Sequence, residues 1–81
     1  MKEINTTEAK RSIKTMVTKA RQSMSVKEIR TIENKLFRML DNCTGKTEDD
    51  YKMYDMIYDA IRVVNNALMI QIDEQYFEIM N

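Results

Sequence analysis

Residues 47–81 read TEDDYKMYDMIYDAIRVVNNALMIQIDEQYFEIMN, and they contain neither glycine nor proline. A breaker-free stretch rich in Met, Ile, Asp and Glu is expected to form one long helix. Thr47 with Asp50 three residues on is a capping signal, and Glu48 and Asp49 sit where the positive helix end favours acids. The segment predicts a helix over 48–80, about 33 residues and roughly 50 Å long.

Two apolar stripes run along it. The first, Tyr54, Ile57, Tyr58, Ile61, Val64, Leu68, Ile72, Tyr76 and Ile79, is expected to be the core face. The second lies roughly opposite: Met56, Ala60, Val63, Ala67, Ile70 and Phe77 alternate steps of four and three, with only Glu74 out of character, and read as a heptad seam. Ala60 and Ala67, one heptad apart, would let two backbones approach closely. A second copy of the chain or another protein is the expected occupant of this seam. The alternative is a bend at Asn65 and Asn66, poor helix formers, with the tail folded back as a fourth helix over its own apolar surface.

Upstream, Gly45 is the only glycine and is expected to supply the left-handed residue that closes a second helix. Ser25 followed by Glu28 is a capping box that predicts a break at Ser23 to Ser25 and a helix over 26–43. Its stripe is wide: Val26, Ile29, Ile32, Leu36, Phe37, Met39, Leu40 and Cys43. A first helix over 6–23 should start at Asn5 or Thr6, with Glu8 completing the cap. Its face, Ala9, Ile13, Met16, Val17, Ala20 and Met24, falls within about 100° of arc. The fold class is therefore all-α: one domain, 1–81, a three-helix bundle with two short helices and a long third. Since the first two helices span roughly 27 Å each, half of the third should overhang.

At 81 residues the chain is near the size where one core gives modest stability, so a partner or second copy is expected to help. With 43% apolar and 32% charged residues it has the composition of a folded protein. Its longest apolar run, Ala67 to Ile70, is too short for a signal peptide or a membrane span, and a cytoplasmic location with no membrane partner is expected. The frequent Ile, Lys, Asn, Tyr, Met and Phe have AT-rich codons, as in a small viral, phage or low-GC bacterial gene.

Cut at Gly45, the chain holds ten Lys/Arg against five Asp/Glu before it and three against eight after it. Blocks of this kind shape which surfaces attract which partners. Lys10, Lys14 and Arg21 fall along one flank of the first helix, and Lys27, Arg30 and Arg38 along one flank of the second, with Asn34 between them. This basic patch is either a phosphate-attracting surface or a solvated face. Asp55, Asp59 and Asp73 share an edge of the third helix and would oppose those cations within the bundle or across a dimer. A head-to-tail or antiparallel assembly suits the block pattern. Aromatic residues interleaved with the cations, which base stacking would need, are missing; Tyr51, Tyr54 and Tyr58 stand among acids and are expected at the core or rim.

The chain has no histidine, no glycine-rich phosphate loop and no second cysteine, so neither catalysis, a metal nor a cofactor is expected. Cys43 is expected to be a small core residue. Of the eight methionines, Met16, Met24 and Met39 fall on core stripes, leaving Met56, Met69 and Met80 for partner contacts. The expected function is that of a small non-enzymatic regulator or inhibitor, acting through protein contacts as a homodimer. The alternative is a nucleic-acid-associated regulator using the basic flanks of the first two helices.

Overall fold

A computed structural model describes the backbone of residues 6–43 and 45–80 and the side chains of residues 7–43 and 45–76. The described residues form three helices and no strand: α1 (Thr6–Gln22), α2 (Val26–Asp41) and α3 (Glu48–Met80). This is the three-helix bundle that the stripes and caps predict.

The caps explain where the helices begin. Ser25 Oγ accepts the Glu28 N–H at 3.2 Å, as the capping box requires, but the Ser25 N–H goes to Ser23 Oγ at 3.1 Å. Two serines thus share the work expected of Ser25 and Glu28, and Ser25→Ala should cost about 1 kcal/mol. At α3, Thr47 Oγ1 accepts the Asp50 N–H at 3.1 Å, and the Asp50 carboxylate reaches back to the Lys46 N–H at 3.3 Å. The expected cap at Asn5 lies outside the described residues.

Gly45 has φ +68°, the left-handed conformation that was expected, yet it does not close α2. The helix ends earlier, with the Asn42 N–H on the Arg38 carbonyl and the Cys43 N–H on the Leu40 carbonyl at 3.0 Å, a tightened last turn. Gly45 turns the loop that follows.

α1 and α3 run in the same direction. Thr7 and Lys10 lie beside Asp49, Lys52 and Met56, while Ala20, Arg21 and Ser23 lie beside Val63, Ala67 and Ile70. α2 returns antiparallel on the other flank of α3, where its Glu33 meets Asn65. Both short helices pack mainly on α3 and touch each other least.

Six of the eleven buried apolar side chains among the described residues come from α3: Met53, Ile57, Ala60, Ile61, Val64 and Leu68. Ile29, Leu36, Ile57 and Val64 have the largest side chains that are fully enclosed. Truncating Leu36 or Ile57 to Ala should cost about 2–5 kcal/mol.

The core face of α3 is turned relative to the expected stripe. Tyr54, Tyr58 and Tyr76 are 43%, 50% and 60% exposed, whereas Met53 and Ala60 are buried. At about 100° per residue, the buried arc is centred on Ile57, roughly 45° away from the stripe's centre. Turning this way leaves the tyrosine hydroxyls in water and brings small Ala60 against α1. Ile79 lies outside the described side chains.

Two other expected core residues are on the surface. Met24 is 77% exposed because α1 stops at Gln22 and leaves it in the turn. Phe37 is 44% exposed at the outer edge of α2's wide stripe. Ala9, Met16, Val17, Val26, Met39, Leu40 and Cys43 pack against the core while remaining partly accessible.

α3 passes through Asn65 and Asn66 unbroken for all of its 33 residues, which overturns the bend and the fourth helix. Each Asn costs at most about 0.7 kcal/mol in helix propensity. Burial of Val64 and Leu68 on either side contributes about 1.5–3 kcal/mol each, more than enough to hold the helix straight. The overhang is also shorter than half: Leu68 is buried and Ile72 packs on the core, so only the turns from Asp73 onward extend past the bundle. The longest dimension, 52 Å, is that of α3.

Candidate functional site

Because α3 is unbroken over Glu48–Met80, its second stripe lies open along α1 among the described residues. The bundle divides it. Ala60 is buried, Met56 and Ala67 are half-buried, and Val63 and Ile70 are 41% and 49% exposed. Small residues therefore form the floor, and the branched side chains stand on its outer lip. Ala60, expected on the seam, is thereby part of the core. Phe77 and Met80 lie outside the described side chains.

Val63, Ala67 and Ile70 share one surface hollow with Ala20, Arg21 and Ser23. Its neighbour, lined by Arg21, Asp59, Arg62, Val63, Asn65, Asn66 and Met69, continues it across α3. Near the start of α3, Lys10 and Thr7 border Met53, Met56 and Asp49. The first two hollows share Arg21, Val63 and Asn66 and form one groove between α1 and α3, open to solvent and apolar at its base; the third lies further along the same pair of helices, with Lys10 on its rim.

All six residues of the basic patch are exposed. They do not lie together. Lys10 and Arg21 line the hollows between α1 and α3, so two cations edge the apolar groove, whereas Lys14 lines a hollow of α1 alone, with Arg11, Thr15 and Thr18. Lys27, Arg30 and Arg38 project from α2, about 100° to 180° from buried Ile29 and on the opposite side of α3. Asp55, Asp59 and Asp73 are exposed along the outward edge of α3. Asp59 lines the same hollow as Arg21 and Arg62, and among the described residues none of the three acids makes an ion pair within the chain.

That the α1 cations and the α3 seam edge one groove escapes sequence reasoning, because the stripes of each helix do not say which flank adjoins which neighbour. A second surface was also missed. The Tyr54 and Tyr58 rings stack with centroids 6.3 Å apart and planes 12° from parallel, on the flank of α3 toward α2. Phe37, one turn beyond Glu33, stands on the facing flank of α2. The four-residue spacing of the tyrosines and their hydroxyls were the signal for an exposed ridge.

Cys43 is half-buried beside the core. Burial, then the negative charge of Asp50, pushes its thiol above the ordinary value, which keeps the nucleophilic thiolate scarce. Among the described residues no group of three or more His, Cys, Asp or Glu is placed to hold a metal ion. No described helix is long and apolar enough to cross a membrane. No family model, curated protein or solved structure matches this chain.

Proposed function

We propose that this chain is a small non-enzymatic binding protein, a regulator or inhibitor that works as a homodimer through protein contacts along the groove between α1 and α3. One observation carries the proposal: Val63 and Ile70 stand exposed in heptad register on an unbroken helix, with no segment among the described residues over them. Isolated apolar residues on a surface need no explanation, but a row of them beside buried alanines and above a cationic edge is the composition of a contact face. Half-buried Met56 adds an adaptable side chain at one end of the groove.

The direct test is affinity capture with the immobilised chain, wild type beside Val63→Glu. Proteins held by the wild type should be lost from the variant; identical retention on both refutes a role for the groove.

A second function, as a nucleic-acid-associated regulator, draws support from the exposure of all six cations. Phosphate contacts would make affinity for random duplex fall steeply between low and moderate salt. Replacing Lys10, Lys14, Arg30 and Arg38 by Gln should then abolish binding, and no binding in dilute buffer removes this alternative.

A further inference from the structure

Val63 and Ile70 lie between two banks of opposite charge. One is the flank of α1 that carries Lys10 and Arg21 beside α3, with Lys14 on its outer side. The other is the outward edge of α3, where Asp59 falls about 40° beyond Val63 on the side away from α1, and Asp55 and Asp73 about 80° beyond it. Lys52, about 20° beyond Val63, and Arg62 are cations on that edge, which stays net negative through Glu48, Asp55, Asp59 and Asp73. Among the described residues, Lys10, Lys14, Asp55 and Asp59 form no ion pair within the chain.

A symmetric face-to-face dimer has its two-fold axis in the plane of the contact. If the axis runs across α3, the two long helices are antiparallel and each bank lies over its own counterpart, cations on cations and acids on acids. If it runs along α3, the helices are parallel and each bank lies over the opposite one. Like-charge juxtaposition is strongly disfavoured, so the banks select the parallel arrangement. This reverses the antiparallel expectation from the charge blocks, because the blocks give signs along the chain whereas the banks lie across the helix.

The heights agree. Lys10 lies level with Lys52 and Met56, and Arg21 with Val63 and Asn66, because α1 and α3 run in the same direction. In a parallel, in-register pair, Lys10 falls level with Asp55 of the second copy. Lys14, one turn on, falls level with Asp59, also one turn on.

We propose that a second copy of this chain docks on the groove with its α3 parallel and in register, a pairing that presupposes the groove is a protein-binding face. Val63 meets Val63 and Ile70 meets Ile70 as in a parallel coiled coil. Lys10 and Lys14 face Asp55 and Asp59 of the other copy on both sides of the seam.

Charge reversal and a distance measurement test this pairing. Lys14→Glu alone and Asp59→Lys alone should each weaken self-association at least about tenfold in sedimentation equilibrium, and both together should restore it. In a Cys43→Ser background, a spin label at Glu48→Cys should give a separation between copies below about 25 Å, whereas antiparallel helices crossing near Val63 and Ala67 would place the labels about 50 Å apart. The long distance, or a dimer indifferent to either single reversal, overturns the parallel pairing while the groove stands as a contact face. A chain that stays monomeric at millimolar concentration with full helicity overturns the second copy as occupant. A dimer unchanged by Val63→Glu overturns both the pairing and the protein-binding groove.

Discussion

The side-chain amide of Asn65 donates to the Glu33 carboxylate at 3.1 Å, joining the middle of α3 to the middle of α2 on the flank away from α1. Asn66, the next residue, points about 100° further round the helix and makes no such bond. Their helix propensities are the same, so only the bond separates them. Asn66→Ala should stabilise the fold by a few tenths of a kcal/mol, up to about 0.7. Asn65→Ala gains the same propensity but loses an exposed charge-assisted bond, and should come out less stable than Asn66→Ala by about 0.5–1 kcal/mol. Urea midpoints of the two variants measure the difference; equal values would mean that the bond contributes nothing in solution.

Val63 and Val64 offer a sharper contrast, because Val64 is fully enclosed and Val63 is 41% exposed. Val64→Ala should lower stability by about 2–3 kcal/mol through lost burial and the cavity left behind. Val63→Ala should stay within about 0.5 kcal/mol of wild type in the monomer, where it leaves no void. Denaturation at low protein concentration checks this. A large loss for Val63→Ala there would make Val63 a core residue.

Gly45 sits at φ +68°, and a Cβ added to it would approach Tyr51 Cε1 at 3.9 Å, ordinary contact. The cost of Gly45→Ala is therefore conformational, about 1–2 kcal/mol from the left-handed backbone alone. Gly45→Asn, which tolerates that region better, should lose less than Gly45→Ala. Thermal denaturation of the pair tests the order, which steric crowding would erase by making Asn the worse substitution.

Burial and the charge of Asp50 raise the Cys43 thiol pKa in the folded chain, so the folded state holds its proton more tightly than the unfolded state does. The associated stability is fully present below the unfolded thiol's value of about 8.5 and is lost as pH rises through the folded one. Stability of the wild type should therefore fall more between pH 8 and 10 than that of Cys43→Ala. Alkylation by iodoacetamide at neutral pH should be slower in the folded chain than after denaturation. Equal rates would place the thiol in open water.

Much of this fold was legible because its signals are local. Ser25, Glu28, Thr47 and Asp50 announce helix starts through bonds that span three residues, and Ile13, Ile29, Leu36, Ile57 and Val64 repeat at helical spacing. The orientation of α3 was not legible. Choosing Tyr54 and Tyr58 over Met53 and Ala60 requires knowing where α1 lies, and a rotation of about 45° exchanges these residues between core and rim. The groove follows the same rule. Val63 and Ile70 stood out on one helix and Lys10 and Arg21 on another, but only the packing order of the three helices puts them along one flank.

Because α1 and α2 pack on α3 and scarcely on one another, α3 acts as a mast to which two separate spars are lashed. Neither spar can brace the other if the mast yields, so loosening of α3 anywhere from Met53 to Leu68 sets both free at once. A molecule that grips the exposed side of α3 thereby steadies the whole assembly without touching α2.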